Sequence, residues 1–400
     1  MVALAGSKGG AIGDLQTPDR QFIHRLFSGR IDKNELFQYM QERSRPSVGL
    51  VVNNACNLAC KHCYLQVKQV LAPALKLDEW KRFAYSVAHS DAALISVCGK
   101  ETLLGDTGMN VLAYLADMKA QDNLAYKFGI ISNGTLMEPH RDNLLEINPE
   151  YLDISFDGIA EDHDAVRGIG SFAKALPNME WASAHFGQRF FVTLTVQKKN
   201  YLKLGNTIEY FREHGAKNLF LTFYEPMAYT DQTLRMSDAE QETVLDRFDQ
   251  LKRLPKGSEM NVYVDLGLYS PGPLKAFLSS KWFELSKVQL DESGVCFIQH
   301  TFPNGVSLSF RFLPYPLGVW HTTRVTVEGL YLASEDTLDT SRYAENAIAN
   351  IRDFDYDFNK LHHYALNSQR FHQILDEYYD VTLPQIVKMY DLIRTNKIAA

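Results

Sequence analysis

Between Val48 and Phe223 the chain repeats one pattern, a short apolar run of strand type followed by a segment with helical spacing. The strands read as 48–52, 92–97, 126–132, 151–156, 190–196 and 218–223, and the helices as 78–89, 109–120, 141–147, 172–185 and 204–214. Such alternation argues a parallel sheet with helices packed outside it. It does not separate an open sheet from a closed or partial barrel. In either, function gathers at the carboxyl ends of the strands.

The end of the first strand carries Cys56-Asn-Leu-Ala-Cys60-Lys-His62-Cys63-Tyr64, which holds three of the five cysteines in C-x3-C-x2-C spacing. Clustered thiolates take soft or borderline metals, so zinc and an iron-sulfur cluster are the candidates. A structural zinc site wants four ligands, usually from two paired clips, and the second clip is missing. His62 could complete a Cys3His set, at the cost of a strained loop, because it lies between two of the cysteines. Four-iron clusters are commonly held by four thiolates. With three, one iron keeps an open position for chemistry.

This nonapeptide, with Tyr64 directly after the third cysteine, resembles the radical S-adenosylmethionine (radical SAM) superfamily. The resemblance implies one [4Fe-4S] cluster on Cys56, Cys60 and Cys63, with S-adenosylmethionine chelated to the fourth iron. One electron then releases a 5′-deoxyadenosyl radical that takes hydrogen from an unreactive C–H bond. It also implies a partial (β/α)6 TIM-like barrel with a smaller C-terminal α+β extension. Cys98-Gly99-Lys-Glu101-Thr, after the second strand, is similar to the family's Gly-Gly-Glu-Pro motif, and Glu101 is expected to take the amino group of the cofactor. Ser132-Asn133-Gly-Thr and Ser155-Phe-Asp-Gly, followed by His163 and Arg167-Gly168, resemble stretches that cradle its methionine carboxylate and ribose in the sulfatase-maturase-like, peptide-modifying branch. Ser155 is the candidate hydroxyl donor. Arg167 is the candidate carboxylate partner, since a guanidinium fork matches a carboxylate. The glycines can equally be turn residues.

The likeness covers residues 48 to 227 and suggests three regions: an N-terminal extension 1–47, a core 48–230 and an extension 231–400. Residues 1–20 read as a flexible leader and 32–45 as a short helix. Residues 231–290 read as helical with a connecting loop, Ser237-x-x-Glu240 being a capping box. Residues 306–313 and 323–332 alternate like strands of a small sheet, and 358–379 and 383–396 read as terminal helices; the pair His362-His363 fits a helix surface. Arg324 to Ser334, with Asn350 to Asp353, resembles the skeleton of the SPASM extension that carries auxiliary clusters, yet its cysteines are absent. One cluster per chain is therefore expected. Without an auxiliary electron acceptor a redox-neutral outcome is favoured, such as epimerisation or rearrangement. Cys98 and Cys296 are then the candidate hydrogen donors, unless each is a buried apolar cysteine.

A net charge of −7 with no long basic run argues against nucleic acid. No run of eighteen apolar residues suggests a membrane span, and residues 1–13 lack the apolar stretch of a signal peptide, so a cytoplasmic location is expected. The expected partners are an electron donor such as flavodoxin or ferredoxin and a substrate. That substrate is a ribosomal peptide or protein, served by a separate leader-peptide-binding protein, or a natural-product intermediate such as a sugar or nucleoside. A non-catalytic Cys-rich metal-binding protein is the contrasting alternative. The strand-end motifs count against it, because a structural metal loop has no use for a cofactor cradle.

Overall fold

The computed structural model describes residues 28–43, 46–66, 73–266, 287–290, 296–312, 322–333 and 339–385, with a few isolated positions besides. The leader, residue 334 and most of the last expected helix lie outside them. The strands β1 (Ser47–Val51), β2 (Leu94–Cys98), β3 (Lys127–Ser132), β4 (Tyr151–Phe156), β5 (Phe190–Val196) and β6 (Asn218–Phe223) pair in parallel in chain order. The helices α1 (Lys33–Arg43), α2 (Leu77–Ala88), α3 (Thr107–Asp122), α4 (Arg141–Ile147), α5 (Glu161–Arg167), α6 (Ser171–Phe186) and α7 (Leu204–Glu213) precede or connect them. Among the described residues no helix is long and apolar enough to cross a membrane.

The sheet does not stop at β6. β7 (Asn261–Asp265) adds in parallel beside it, and β10 (Ser307–Phe312) in parallel beside β7. Antiparallel β9 (Cys296–Thr301) and β8 (Lys287–Leu290) complete that side. On the other side β11 (Thr322–Val325) lies parallel to β1, followed by antiparallel β12 (Leu330–Ala333) and β13 (Ala349–Asn350). Thirteen described strands thus make one open sheet. Two expectations are corrected. Residues 231–290 hold β7 and β8 as well as a helix, and the C-terminal strands extend the main sheet instead of forming their own. The physical reason is the same for both: each edge of a parallel sheet offers unpaired peptide groups, and short runs such as Asn-Val-Tyr-Val-Asp answer them. The expected 358–379 helix is also broken, at Asn367 and Ser368, where the Ser368 hydroxyl caps the next helix by accepting from the Phe371 N–H at 3.1 Å.

The alternation along each strand divides two faces. Ile95, Val97, Ile130, Leu152, Ile154, Phe156, Val192 and Leu194 are wholly buried in the main core, with Trp80, Phe83, Leu112 and Phe211 from the helices. On the opposite face Leu94, Tyr151 and Phe191 form a second, small apolar cluster at the amino ends of the strands, with Ile131 and Tyr263 against it. Beyond this floor the same face turns polar, with Ser96, Cys98, Asp153, Ser155 and Thr193. Gly129 makes room for the floor. A Cβ on it would stand 2.3 Å from both the ring and the carbonyl oxygen of Tyr151, its register partner on β4. Gly129→Ala is expected to lower the denaturation midpoint, with a loss of about 1–3 kcal/mol from overpacking.

Candidate active site

The cysteine loop leaves β1 locked to the end of β2. Val52 N–H donates to Cys98 O (2.9 Å), Lys100 N–H to Asn53 O (3.4 Å) and Glu101 N–H to Ala55 O (3.0 Å). Asn53 Nδ2 returns bonds to Glu101 O (2.6 Å) and Leu104 O (3.1 Å). Gly99 sits where a Cβ would be 3.3 Å from two Asn53 oxygens, so a larger residue would crowd this seam.

Glu101, 1% exposed, joins the ends of β2 and β3. Its Oε1 accepts from Leu103 N–H (2.9 Å) and Ser132 Oγ (2.8 Å), and its Oε2 from Asn133 N–H (2.7 Å). Burial pushes its carboxyl up, and these three donors act the other way. A carboxylate offers about four lone-pair positions, so one direction remains for an outside donor. Asn133 carries the connection to the cysteines: its Nδ2 donates to Asn57 Oδ1 (3.0 Å) and reaches Cys56 Sγ at 3.7 Å.

Cys60 is buried, and Cys56 and Cys63 are half-buried. Burial pushes all three thiols up, Cys60 to about 12, while Arg167 draws each down. Cys56 Sγ also accepts the Leu58 N–H at 3.3 Å. No group of three such donors among the described residues closes tightly enough for a single metal ion. His62, the fourth ligand of a zinc reading, instead places its Nε2 2.8 Å from Asp157 Oδ2. Three thiols that sense one another's charge, with N–H groups and a guanidinium favouring their ionised form, fit a larger cationic cluster held at three corners.

Asp157 is fully buried beyond the end of β4. Its Oδ2 also accepts from Arg167 Nε at 2.5 Å. Burial alone would raise this carboxyl, but Arg167 and His62 overcome it and hold it below the usual range. Asp157 therefore ties β4 to the cysteine loop through His62 and to α5 through Arg167. The carbonyls at the end of α5 reinforce the tie, Val166 O accepting Lys61 N–H (2.9 Å) and Ala165 O the Lys61 ammonium (2.6 Å). His163 supports Asp157 from behind, its Nδ1 3.4 Å from the Asp157 N–H. Burial and Arg167 bring the ring down to about 3, so it is neutral.

Of the remaining expected residues, Ser155 faces the polar side of the sheet and its hydroxyl makes no hydrogen bond among the described residues. The Tyr64 hydroxyl accepts from Arg324 Nη1 at 2.5 Å, a partner 260 positions away. Cys98 ends β2 on the same face as Ser96, with its thiol raised by burial and drawn down by Arg324. Cys296 opens β9, and its side chain lies outside what the structure describes. Asn53, His62, Asp157 and Arg324 form the part of the site that the motifs did not assign.

Residues 50–211 match the model of the radical SAM superfamily. These residues carry a radical SAM domain. The AdoMet-dependent heme synthase of Methanosarcina barkeri is 28% identical to it over 245 residues, 60% of this chain and 64% of the relative. The subtilosin biosynthesis protein AlbA of Bacillus subtilis is 26% identical over 170 residues, 42% of this chain and 36% of the relative. This chain therefore spans less than two thirds of the length of either. The structure of anSMEcpe with bound AdoMet and Kp18Cys peptide superposes with a TM-score of 0.58 at 17% identity, over 84% of this chain and 83% of that one. The shared fold is the open, partial radical SAM barrel with an α+β extension.

Removing the Arg167 guanidinium strands a buried carboxylate. Arg167→Met is expected to cost about 3–5 kcal/mol in chemical denaturation, with part recovered when Asp157→Asn is added. The depressed Asp157 carboxyl contributes stability that is complete above its unfolded value of about 3.9 and is lost as pH falls below it. An Asp157→Asn variant should show a flatter stability profile below pH ~4.

Proposed function

We propose that this radical SAM protein holds one [4Fe-4S] cluster on Cys56, Cys60 and Cys63, binds S-adenosylmethionine beside it, and removes hydrogen from an unactivated C–H bond of a ribosomal peptide or protein. The observation that carries this reading is the cysteine loop, fastened through Asn133 and Asp157 to the ends of β3 and β4, beside the polar face of the sheet. Together the cluster and cofactor supply a 5′-deoxyadenosyl radical when bound.

The chain's own residues bind and orient. The open lone-pair direction of Glu101 suits an ammonium group, and the Ser155 hydroxyl suits a ribose or carboxylate oxygen. Arg167 uses Nε for Asp157 and keeps its terminal nitrogens for a carboxylate. Cys98 suits the return of hydrogen in a redox-neutral reaction, because burial keeps its thiol protonated. Its S–H bond breaks as a C–H bond forms on the substrate. The sulfur radical left behind takes an electron from a donor such as flavodoxin or ferredoxin, and a proton from solvent. A peptide substrate is favoured by the peptide bound in anSMEcpe and by the match to AlbA. The match to a heme synthase favours a second reading, a small biosynthetic intermediate.

Anaerobic reconstitution with iron and sulfide, reduction by dithionite and addition of S-adenosylmethionine should yield 5′-deoxyadenosine and about four irons per chain. Alanine at Cys56, Cys60 or Cys63 should remove both together. Zinc in place of iron, or cleavage that survives loss of a cysteine, would overturn the assignment. With substrate in deuterated water, product should carry deuterium, and Cys98→Ala should lose that label while still forming 5′-deoxyadenosine. Undiminished labelled product from Cys98→Ala would remove the thiol from the cycle.

A further inference from the structure

We propose that Asp153 is where the barrel takes hold of a cationic amine on the substrate. This rests on the reading that substrate enters the polar face beside the cysteine loop. Asp153 stands midway along β4, one step above the apolar floor of Tyr151 and one step below Ser155 on the same face. It is 1% exposed. Its Oδ2 accepts the Thr193 hydroxyl at 2.8 Å, and its Oδ1 has no partner among the described residues.

The other buried carboxylates of this region are met more fully, Glu101 by three donors and Asp157 by the Arg167 guanidinium and the His62 ring, both on Oδ2. Asp153 has one neutral hydroxyl. A buried acceptor left unmet costs stability, and a folded chain keeps such a group where something else completes it. The ionisable groups around it set the polarity of this face. Tyr151 beneath it gives its hydroxyl to Ser96 and lies within electrostatic reach of Asp153, Cys98 and Arg324 together. Arg167, the described cation that acts on Asp153, is already committed to Asp157. An ammonium supplies the donor that Oδ1 lacks among the described residues, whereas a carboxylate placed there would be repelled. A substrate so held presents the carbons beside its nitrogen to the level of Ser155 and Cys98, where hydrogen is to be removed and returned.

The test uses the full chain, reconstituted with iron and sulfide, at pH 8, without reductant or S-adenosylmethionine. Its Tm is followed with n-butylammonium, n-butanol or butyrate. The wild type should gain Tm with n-butylammonium alone. Asp153→Asn should lose that gain, and should itself melt about 2 °C or more above the wild type because a buried charge is gone. Thr193→Val, which leaves both oxygens unpaired, should retain the gain. The proposal is overturned by an equal gain in Asp153→Asn, by no selectivity of the wild type for the cation, or by a lower Tm of Asp153→Asn, which would make the carboxylate structural. No cofactor turnover enters the measurement. Absence of the cation effect therefore leaves the radical reading standing, and absence of cofactor cleavage leaves the cation effect standing.

Discussion

The buried charge of Asp157 governs how the cysteine loop sits. A carboxylate out of water must be met by donors or cations, and it is met from two directions, by the His62 ring inside the loop and by the Arg167 guanidinium at the end of α5. The Arg167 contact is local, ten positions away, and places the carboxylate that the distant His62, 95 positions away, then meets. The loop is fixed between β4 and α5 by an electrostatic requirement, and its cysteines are presented as a consequence.

Glu101 makes the second attachment by a different means. Its carboxylate gathers backbone and hydroxyl donors, so it organises the turns after β2 and β3 without needing a counter-ion. The two carboxylates flank the cysteine loop, one reaching it through Asn133 and the other through His62. Loss of either would displace the thiols by a different route. The guanidinium beside the sulfurs belongs to the first attachment, so the element that secures the loop also biases its charge.

Much of the core was legible because each strand is a short run rich in apolar residues, followed by a segment of helical spacing. β4, β5 and β6 fall where the pattern puts them. Gly99, Glu101, Ser132 and Asn133 were legible as a group because each follows a strand, and strand ends in such a sheet converge. The pairing of His62 with Asp157 was not, since a histidine between two cysteines reads first as a ligand. Arg324 was hidden for another reason: β11 inserts beside β1, which no local periodicity encodes. β7 was missed because five residues of Asn-Val-Tyr-Val-Asp carry too little pattern to outweigh the helical segments around them.

A sheet this wide has two free borders, and each is a potential template for a neighbouring molecule. Among the described residues the borders are short: β13 has two residues and β8 has four. Each joins through an antiparallel turn of direction, so the long parallel strands never reach the outside. A second chain would find few peptide groups in register to copy. The width that gives the barrel its lining is thus achieved without exposing a surface on which the protein could polymerise.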